Sequence, residues 1–301
     1  MKYLPKYPAS LRVKGLKPAL IYAAFAGFCF VVFLHLTFPY APLRRRLIQE
    51  ASLQGVELSI GNLGPAFFGI SARDVRLGIP TYLSIPRLVL RPALIPLGVG
   101  FDAEVLGGRA RGAIGSRDDP SIQLDLSHLK LSASQLKSLG GIDLEGDVTT
   151  HLDLRLPKAS PPKAEGDLVV DIKGLTLRDS TLKNSFLGLP DGIDLPRTEL
   201  GSIKATFKIV KGTVTLDNGV GKGNDLDLWV RGTLKLAQSL PYSEMNIDLK
   251  VKANPDYVKR LGPLGMGLSI LPADKELPDF RLLQLGGFLG TLRAKNVSLG
   301  F

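Results

Sequence analysis

A single uncharged stretch from Pro18 to Leu43 constrains this chain more than any other feature of its sequence. Within it, Ala19 to Phe38 is almost entirely apolar, with His35 and Thr37 as the notable polar interruptions. About 20 apolar residues cross the hydrocarbon core of a bilayer, and a helix is the expected form because backbone amides in lipid need internal partners. We therefore expect a single N-terminal transmembrane helix, with Ala19 to Phe38 as the span.

The charges on either side of this stretch predict its orientation. Five basic residues and no acidic ones precede it, whereas three arginines and one glutamate follow it closely: Lys2, Lys6, Arg12, Lys14 and Lys17, then Arg44, Arg45, Arg46 and Glu50. The positive-inside rule favours a cytoplasmic N-terminus. We expect a cytoplasmic basic tail over 1–17, a transmembrane helix over 18–41 and a periplasmic β-rich domain over 42–301, in the inner membrane of a Gram-negative bacterium.

A cleaved signal peptide is the alternative interpretation of this N-terminus. Its apolar core is usually about 7–15 residues long and ends at a site of small residues. The run here is longer, and no such site precedes the arginines. An uncleaved anchor is therefore favoured.

The net charge of +10 is concentrated beside this anchor. Residues 1–17 contribute +5, while residues 51–301 carry 30 basic and 27 acidic side chains. No concentrated phosphate-binding face is visible, so nucleic acid is not an expected partner. The only cysteine, Cys29, falls inside the expected span, which leaves the rest of the chain without a thiol for a disulfide.

Beyond the anchor, apolar and polar residues alternate with a period of two, which is typical of half-buried strands. Turn residues such as Lys211-Gly212 and Asn218-Gly219 separate these runs at intervals of roughly 10–12 residues, which predicts an antiparallel meander or a sandwich. The apolar positions define a possible groove face: Leu152, Leu154, Val170, Ile172, Phe207, Ile209, Leu226, Leu228, Val230, Ile247 and Leu249. An ordinary sheet-on-sheet core and an open groove for acyl chains or a partner strand both fit this pattern.

Helices are expected to be few and short. Pro42 to Gln54 has an amphipathic pattern, and Ser132 to Leu139 begins with a capping box. A third helix should begin after Asn254 as N-cap, with Pro255 in its first position. The segment from Gly262 to Phe280 is broken by glycine and proline and predicts a loop or lid.

Four prolines, at positions 80, 86, 92 and 96, interrupt one otherwise strand-like stretch. Proline cannot donate a ladder hydrogen bond, so we expect the strands there to be edges, short or bent.

The sequence offers no catalytic or metal-binding pattern. His35, His128 and His151 are scattered and lack zinc-ligand spacing, and neither a nucleophile elbow nor a facing carboxylate pair is present. The Gly-rich segment from Leu216 to Leu228 lacks the spacing of a calcium loop and predicts a hairpin. We expect neither enzymatic activity nor a cofactor.

Several passages resemble two related groups of envelope proteins. Between Phe67 and Gly112, a strand with DVRL, a second strand IPRLVLRP and a strand leading to a Gly-Gly pair resemble the repeating N-terminal pattern of AsmA-like envelope proteins. Leu126 to Pro157 and Ile203 to Lys252 extend this likeness. The arrangement of a short tail, one anchor and a β-rich part resembles the type II secretion system protein N family still more closely.

The resemblance implies a fold and two functions. The fold would be an elongated, curved antiparallel sheet after the single anchor, with a few short helices. The secretion family implies a non-catalytic accessory component of type II secretion, with other membrane proteins of that system as partners. The AsmA-like proteins imply instead an apolar groove for phospholipid acyl chains. Neither group supplies a catalytic residue.

Overall fold

The structure is a computed structural model that describes residues 16–53, 57–79, 81–94, 97–115, 119–131, 143–182, 193–239, 242–262, 265, 268, 271–289 and 293–294. These residues fall into two compact units, divided between Arg46 and Leu47. The first unit is helical and the second is dominated by one β-sheet. The basic tail expected over 1–17 lies almost entirely outside the described residues, as does the helix expected over Ser132 to Leu139.

Helix α1, Leu16–Thr37, occupies the apolar stretch. Its described large apolar side chains are between 39% and 73% exposed: Leu20, Ile21, Tyr22, Phe25, Phe28, Phe30, Val32 and Phe33. Within the part of the chain that the structure describes, which excludes several side chains of α1, no helix is both long and apolar enough to cross a membrane. The transmembrane span from Ala19 to Phe38 stays a prediction. Helix α2, Tyr40–Leu53, covers the amphipathic stretch expected over Pro42 to Gln54 as far as Leu53, and Gln54 lies outside the described residues.

The sheet unit is a nearly continuous antiparallel meander. Its strands are β1 Glu57–Ala66, β2 Gly69–Ile79, β3 Thr81–Leu94, β4 Leu97–Val105, β5 Gly108–Gly115, β6 Ser121–Lys130, β7 Leu144–Arg155, β8 Glu165–Leu177, β9 Ser180–Leu182, β10 Ile193–Leu195, β11 Thr198–Val210, β12 Thr213–Lys222, β13 Leu226–Lys235, β14 Glu244–Ala253, β15 Arg281–Phe288 and β16 Arg293–Ala294. Fourteen of them form one sheet in chain order, with β8 pairing directly with β11. Strands β9 and β10 form a separate two-stranded hairpin.

This topology confirms the mostly β fold and selects the meander over the sandwich among the described residues. Hydrophobic residues are fully buried mainly in a cluster on β1 to β6, which includes Ile60, Val75, Ile85, Ala103 and Leu129. Further along the sheet the apolar side chains are mostly partly exposed, as the strand β11 illustrates with its regular alternation of exposed and half-buried positions. The densest part of the core therefore lies near the first strands.

The expectation of an edge or short strand is wrong for two of the four prolines, while Pro80 and Pro96 lie outside the described residues. Pro86 and Pro92 both belong to β3, which is long and paired on both sides, with β2 and with β4. The ladder accommodates them locally. Pro86 lies opposite Asp74, a residue with φ of 53° that is skipped in the register, and Pro92 pairs with β4 beyond the paired end of β2. Proline is therefore tolerated where a ladder hydrogen bond is already interrupted.

A short helix, α3 at Pro255–Leu261, follows β14. The side chain of Asn254 accepts a hydrogen bond from the backbone N–H of Asp256 at 3.1 Å, and Pro255 opens the helix. The predicted N-cap is confirmed. Tyr257 and Leu261, one turn apart, are the buried residues of this helix.

Candidate functional site

One row of apolar residues crosses the sheet from β1 to β15. Each member is the direct cross-strand partner of the next, so all of them lie on one face. The row is Pro65, Ile70, Leu90, Phe101, Gly112, Leu124, Leu152, Leu168, Phe207, Leu216, Gly232, Ile247 and Leu285. We call the surface that it defines the apolar face. With strands about 4.8 Å apart, the row runs for roughly 60 Å along the sheet.

A second, parallel row on the apolar face is almost as uniform. Its members are Leu63, Ala72, Leu88, Ala103, Ala110, Leu126, Thr150, Val170, Ala205, Gly219, Val230, Leu249 and Leu283. Thr150 is its only polar side chain, and neither row contains a charge. Where a large side chain needs room, glycine stands opposite: a Cβ on Gly112 would come within 2.6 Å of the Phe101 ring.

The structure places every residue of the predicted groove face on this apolar face. Six of them lie on β7, β8 and β11, three within the two rows and three beside them, and the register carries the set on to β13 and β14. Leu228, for example, pairs with Val251, and Leu226 pairs with Ala253. Ile209 is buried, and the other members are partly buried. Whether ligands use this surface stays a prediction.

The opposite face is polar and held by cross-strand ion pairs. Asp102 on β4 accepts hydrogen bonds from Arg109 on β5 and lies 3.6 Å from the guanidinium of Arg111. The hydrogen bond from Arg109 lowers the pKa of the Asp102 carboxyl, against a smaller opposing effect of burial. Arg231 and Asp248 form a similar pair at 3.0 Å between β13 and β14. The two faces of the sheet thus differ sharply in chemistry.

Helix α3 packs at one end of the strands. The hydroxyl groups of Tyr257 and Thr198 are 2.6 Å apart, and Thr198 is almost fully buried at the start of β11. Burial raises the pKa of Tyr257, with an opposing effect of the Thr198 hydrogen bond. Arg260 pairs with Asp225, whose other carboxylate oxygen accepts the backbone N–H of Glu199 at 2.7 Å. These contacts fix α3 against β11 and the turn before β13.

A pocket of about 230 Å³ lies beside α3, where the apolar face reaches β14 and β15. Its lining is mainly apolar, with one cation and one anion: Val251, Ala253, Val258, Gly265, Leu268, Asp279 and Arg281. Arg281 pairs with Val251 across the ladder, which puts its side chain on the apolar face. One guanidinium nitrogen of Arg281 donates to the carbonyl of Leu271 at 3.5 Å. A positive charge therefore borders this end of the apolar face.

Residues 272–280 form a strap across the polar face of β14. Lys250 of β14 is buried there, with Nζ 2.9 Å from Asp274 and 3.1 Å from Glu276 of the strap. The same Nζ lies 4.4 Å from the centre of the Trp229 ring, a cation–π contact. The hydrogen bond to Asp274 raises the pKa of Lys250 against the opposing effect of burial. Burial alone would raise the pKa of Asp274, but its hydrogen bonds from Lys250 and the backbone lower it.

Sequence reasoning missed the Lys250 cluster and Arg281. Lys250 occupies an ordinary polar position of an alternating strand, and nothing in its neighbourhood indicates that a segment more than 20 residues away covers it. Arg281 follows the predicted loop, where the alternation that assigns a face had not yet begun. Only the strand register assigns Arg281 to the apolar face.

Two of the histidines, His128 and His151, contact carboxylates on neighbouring strands. His151 Nδ1 lies 2.5 Å from Asp125, and His128 Nδ1 lies 3.2 Å from Asp147. Among the described residues, no group of three or more metal-ligating side chains comes together.

Comparison of the chain with protein-family profiles, curated proteins and solved structures finds no match. Membership of the type II secretion system protein N family, and of the AsmA-like proteins, therefore stays a prediction.

Proposed function

We propose that this chain is a non-catalytic, membrane-anchored protein of the bacterial envelope that holds the acyl chains of phospholipids against the apolar face of its sheet. The observation that carries the proposal is the apolar row that continues through thirteen paired strands without a charged residue. From β7 to β14 most side chains of this face are partly exposed, and contiguous exposed apolar surface on a folded protein usually marks an interaction site. Acyl chains suit this face because they need apolar contact and no directional hydrogen bonds.

The exposure of the side chains supports the same conclusion. In β8 the apolar residues Leu168 and Val170 are partly exposed on one face, while Asp167 and Val169 are exposed on the other. The ion pairs of the polar face leave it well solvated. A ligand that covers the apolar face would be stabilised most, since each Å² of apolar area removed from water contributes about 25 cal/mol of favourable free energy.

The apolar helix α1 supports the anchored location. Its large apolar side chains are exposed, and the hydrocarbon core of a bilayer would remove them from water. With the charge asymmetry of the N-terminus, this favours the inner membrane with a cytoplasmic tail and the sheet unit in the periplasm.

The proposal can be tested with the full chain expressed in bacterial membranes that contain a phospholipid with a photoactivatable group in its acyl chain. After irradiation, mass spectrometry of peptides maps the labelled residues. We expect labels on the apolar residues of β7 to β14. Labels confined to residues 16–37 would contradict binding by the sheet.

Adjacent valines of β8 provide a matched pair of variants. Val170→Asp puts a carboxylate on the apolar face, whereas Val169→Asp puts one on the polar face, where the valine is already 42% exposed. We expect Val170→Asp to reduce labelling of the sheet about tenfold or more, because burying a charge against an acyl chain is unfavourable. Val169→Asp should leave labelling unchanged. Circular dichroism of both variants checks that the sheet is retained.

The secretion role that the resemblance implies is separated by a different readout. In a strain that lacks this chain, selective retention of normally secreted proteins in the periplasm would favour an accessory role in type II secretion. Unchanged secretion together with altered lipid content of the outer membrane would favour lipid handling.

A further inference from the structure

The exposed apolar side chains of the sheet unit are concentrated at one end of its strands. Six large apolar side chains among the described residues from position 57 onwards are more than half exposed: Phe67, Phe68, Leu97, Val210, Tyr242 and Phe288. All six lie at the β1–β2, β3–β4, β11–β12 and β13–β14 turns or at the end of β15. The register places these turns at the same end, opposite the end where α3 packs. We call this end the apolar rim.

The turn between β1 and β2 is the clearest part of the rim. Ala66 pairs with Gly69, so Phe67 and Phe68 are the two residues of the turn. Two-residue hairpin turns favour asparagine, aspartate and glycine, and Phe68 adopts φ of 52°, which is unfavourable for a bulky side chain. The two rings contact each other edge to face with centroids 4.6 Å apart, yet both remain exposed. Two exposed phenylalanines in a strained turn contribute little to the stability of the folded chain, which indicates that they contact another molecule.

Lysines accompany the apolar residues of the rim. Lys158 and Lys163 lie in the connection from β7 to β8, and Lys211 lies in the β11–β12 turn. All three are exposed, and among the described residues no carboxylate lies within ion-pair distance of them. Gly212 packs against Pro162, since a Cβ on Gly212 would meet the Pro162 backbone, so the two lysine-bearing turns are neighbours.

We propose that the apolar rim docks onto the surface of an anionic lipid bilayer, with its aromatic residues in the interface and its lysines against the lipid phosphates. Phenylalanine and tyrosine suit the boundary between headgroups and acyl chains, and exposed lysines attract anionic headgroups. Among the described residues at this end, exposed basic side chains outnumber exposed carboxylates: Arg155, Lys158, Lys163, Lys211 and Lys235 against Asp119, Glu165 and Glu244. This excess favours an anionic bilayer surface over a second copy of this chain, because two rims would bring net positive charge together. The inference does not depend on acyl chains binding to the apolar face.

A site-specific probe in the full chain tests the docking. Cys29→Ser removes the only native thiol, and Phe67→Cys or Phe288→Cys then carries a fluorescent nitrobenzoxadiazole group at the rim. Lys222→Cys, exposed at the opposite end of the strands, is the control. The proteins are reconstituted into vesicles of phosphatidylcholine with phosphatidylglycerol that contain a nitroxide-labelled lipid. We expect the nitroxide to quench the probe at both rim positions and not at position 222.

The charge dependence supplies the second half of the test. Substitution of Lys158, Lys163 and Lys211 by glutamine should weaken partitioning of the rim about fivefold per lysine, because each basic residue near an anionic surface contributes about 1 kcal/mol. Quenching that is absent at both rim positions, or equal at the rim and at position 222, would overturn docking. Equal quenching in vesicles of phosphatidylcholine alone would overturn the assignment to an anionic surface. Acyl-chain labelling of the sheet without rim quenching would leave the proposed function standing and remove this inference.

Discussion

The ammonium nitrogen of Lys250 lies 2.9 Å from Oδ1 of Asp274, and these side chains are only 2% and 8% exposed. The same carboxylate oxygen accepts the backbone N–H groups of Glu276 and Leu277 at 3.0 and 2.9 Å. Asp274 therefore has two roles: it stabilises the turn of the strap, and it connects the strap to β14. Because a buried charge needs a partner, the strap and the strand depend on each other.

Asp274→Asn should lower the free energy of unfolding by about 3 kcal/mol, because it leaves Lys250 buried with only the exposed Glu276 as a counter-charge. Asp279→Asn is the matched control: Asp279 pairs with Lys252 at 3.0 Å but is 76% exposed, and its loss should change stability by less than about 0.5 kcal/mol. Urea denaturation of the full chain, followed by the fluorescence of the single tryptophan, Trp229, measures both. Equal effects of the two substitutions would contradict the buried pair.

The same pair predicts a pH dependence. Because the folded pKa of Asp274 is lowered from the ordinary value of 3.8, its contribution is fully present above that value and is lost as the pH falls through the folded pKa. The pKa of Lys250 is raised from 10.5, so its contribution is fully present below that value and is lost as the pH rises through the higher folded pKa. The stability difference between wild type and Asp274→Asn should therefore be constant near neutrality and shrink at both extremes. A difference that is unchanged under strongly acidic conditions would be incompatible with this assignment.

Tyr257→Phe should destabilise the chain by about 1 kcal/mol, because it removes the hydrogen bond to the buried Thr198 while keeping the ring in place. Thr198 keeps its hydrogen bond to the carbonyl of Pro196 at 2.8 Å, which limits the loss. Tyr242→Phe, at a residue that is 71% exposed, is the control and should have no measurable effect. Thermal denaturation of the two variants side by side provides the comparison, and a similar shift in both would exclude a specific role of Tyr257.

Two glycines with similar positive φ allow the cost of backbone strain to be distinguished from the cost of a steric clash. Gly174 and Gly212 have φ of 62° and 71°, so alanine at either position adopts an unfavourable conformation that costs about 1–2 kcal/mol. A Cβ at Gly174 meets no atom within 4 Å, whereas one at Gly212 lies 2.4 Å from the Pro162 carbonyl oxygen. Gly212→Ala should therefore destabilise the chain more than Gly174→Ala by about 1 kcal/mol or more, as overpacking does elsewhere. Denaturant midpoints of the two variants measure the difference.

Alternation in the sequence predicts the sheet well because one period describes every strand. The sequence alone assigns Leu152, Phe207 and Leu228 to the apolar faces of their strands, since residues two apart lie on the same side of a strand. Antiparallel pairing then places these faces on one side of the sheet, because cross-strand partners share a face. The N-cap at Asn254 was equally predictable from local chemistry. The choice between meander and sandwich was not, because the turns leave the order of strands in space open.

Contacts between distant segments mark the limit of such reasoning. Lys250 resembles any solvent-facing lysine of a strand until the strap covers it, and Thr198 gains its partner only when α3 packs against β11. Pro86 and Pro92 predicted an edge, short or bent strand, but the irregularity at Asp74 accommodates Pro86, and Pro92 lies beyond the paired end of β2, so β3 lies inside the sheet. In each case a tertiary contact or a neighbouring strand overrides the local preference.

The strand order has a consequence for how this molecule forms and how it could change in length. Almost every strand pairs with its immediate neighbours along the chain. Each pairing therefore closes only a short loop, so little conformational entropy is lost for each one. Folding can proceed by sequential addition of one hairpin after another, as in repeat proteins whose units contact only their neighbours. Insertion of a further pair of strands at a turn would lengthen the surface without disturbing the pairings on either side.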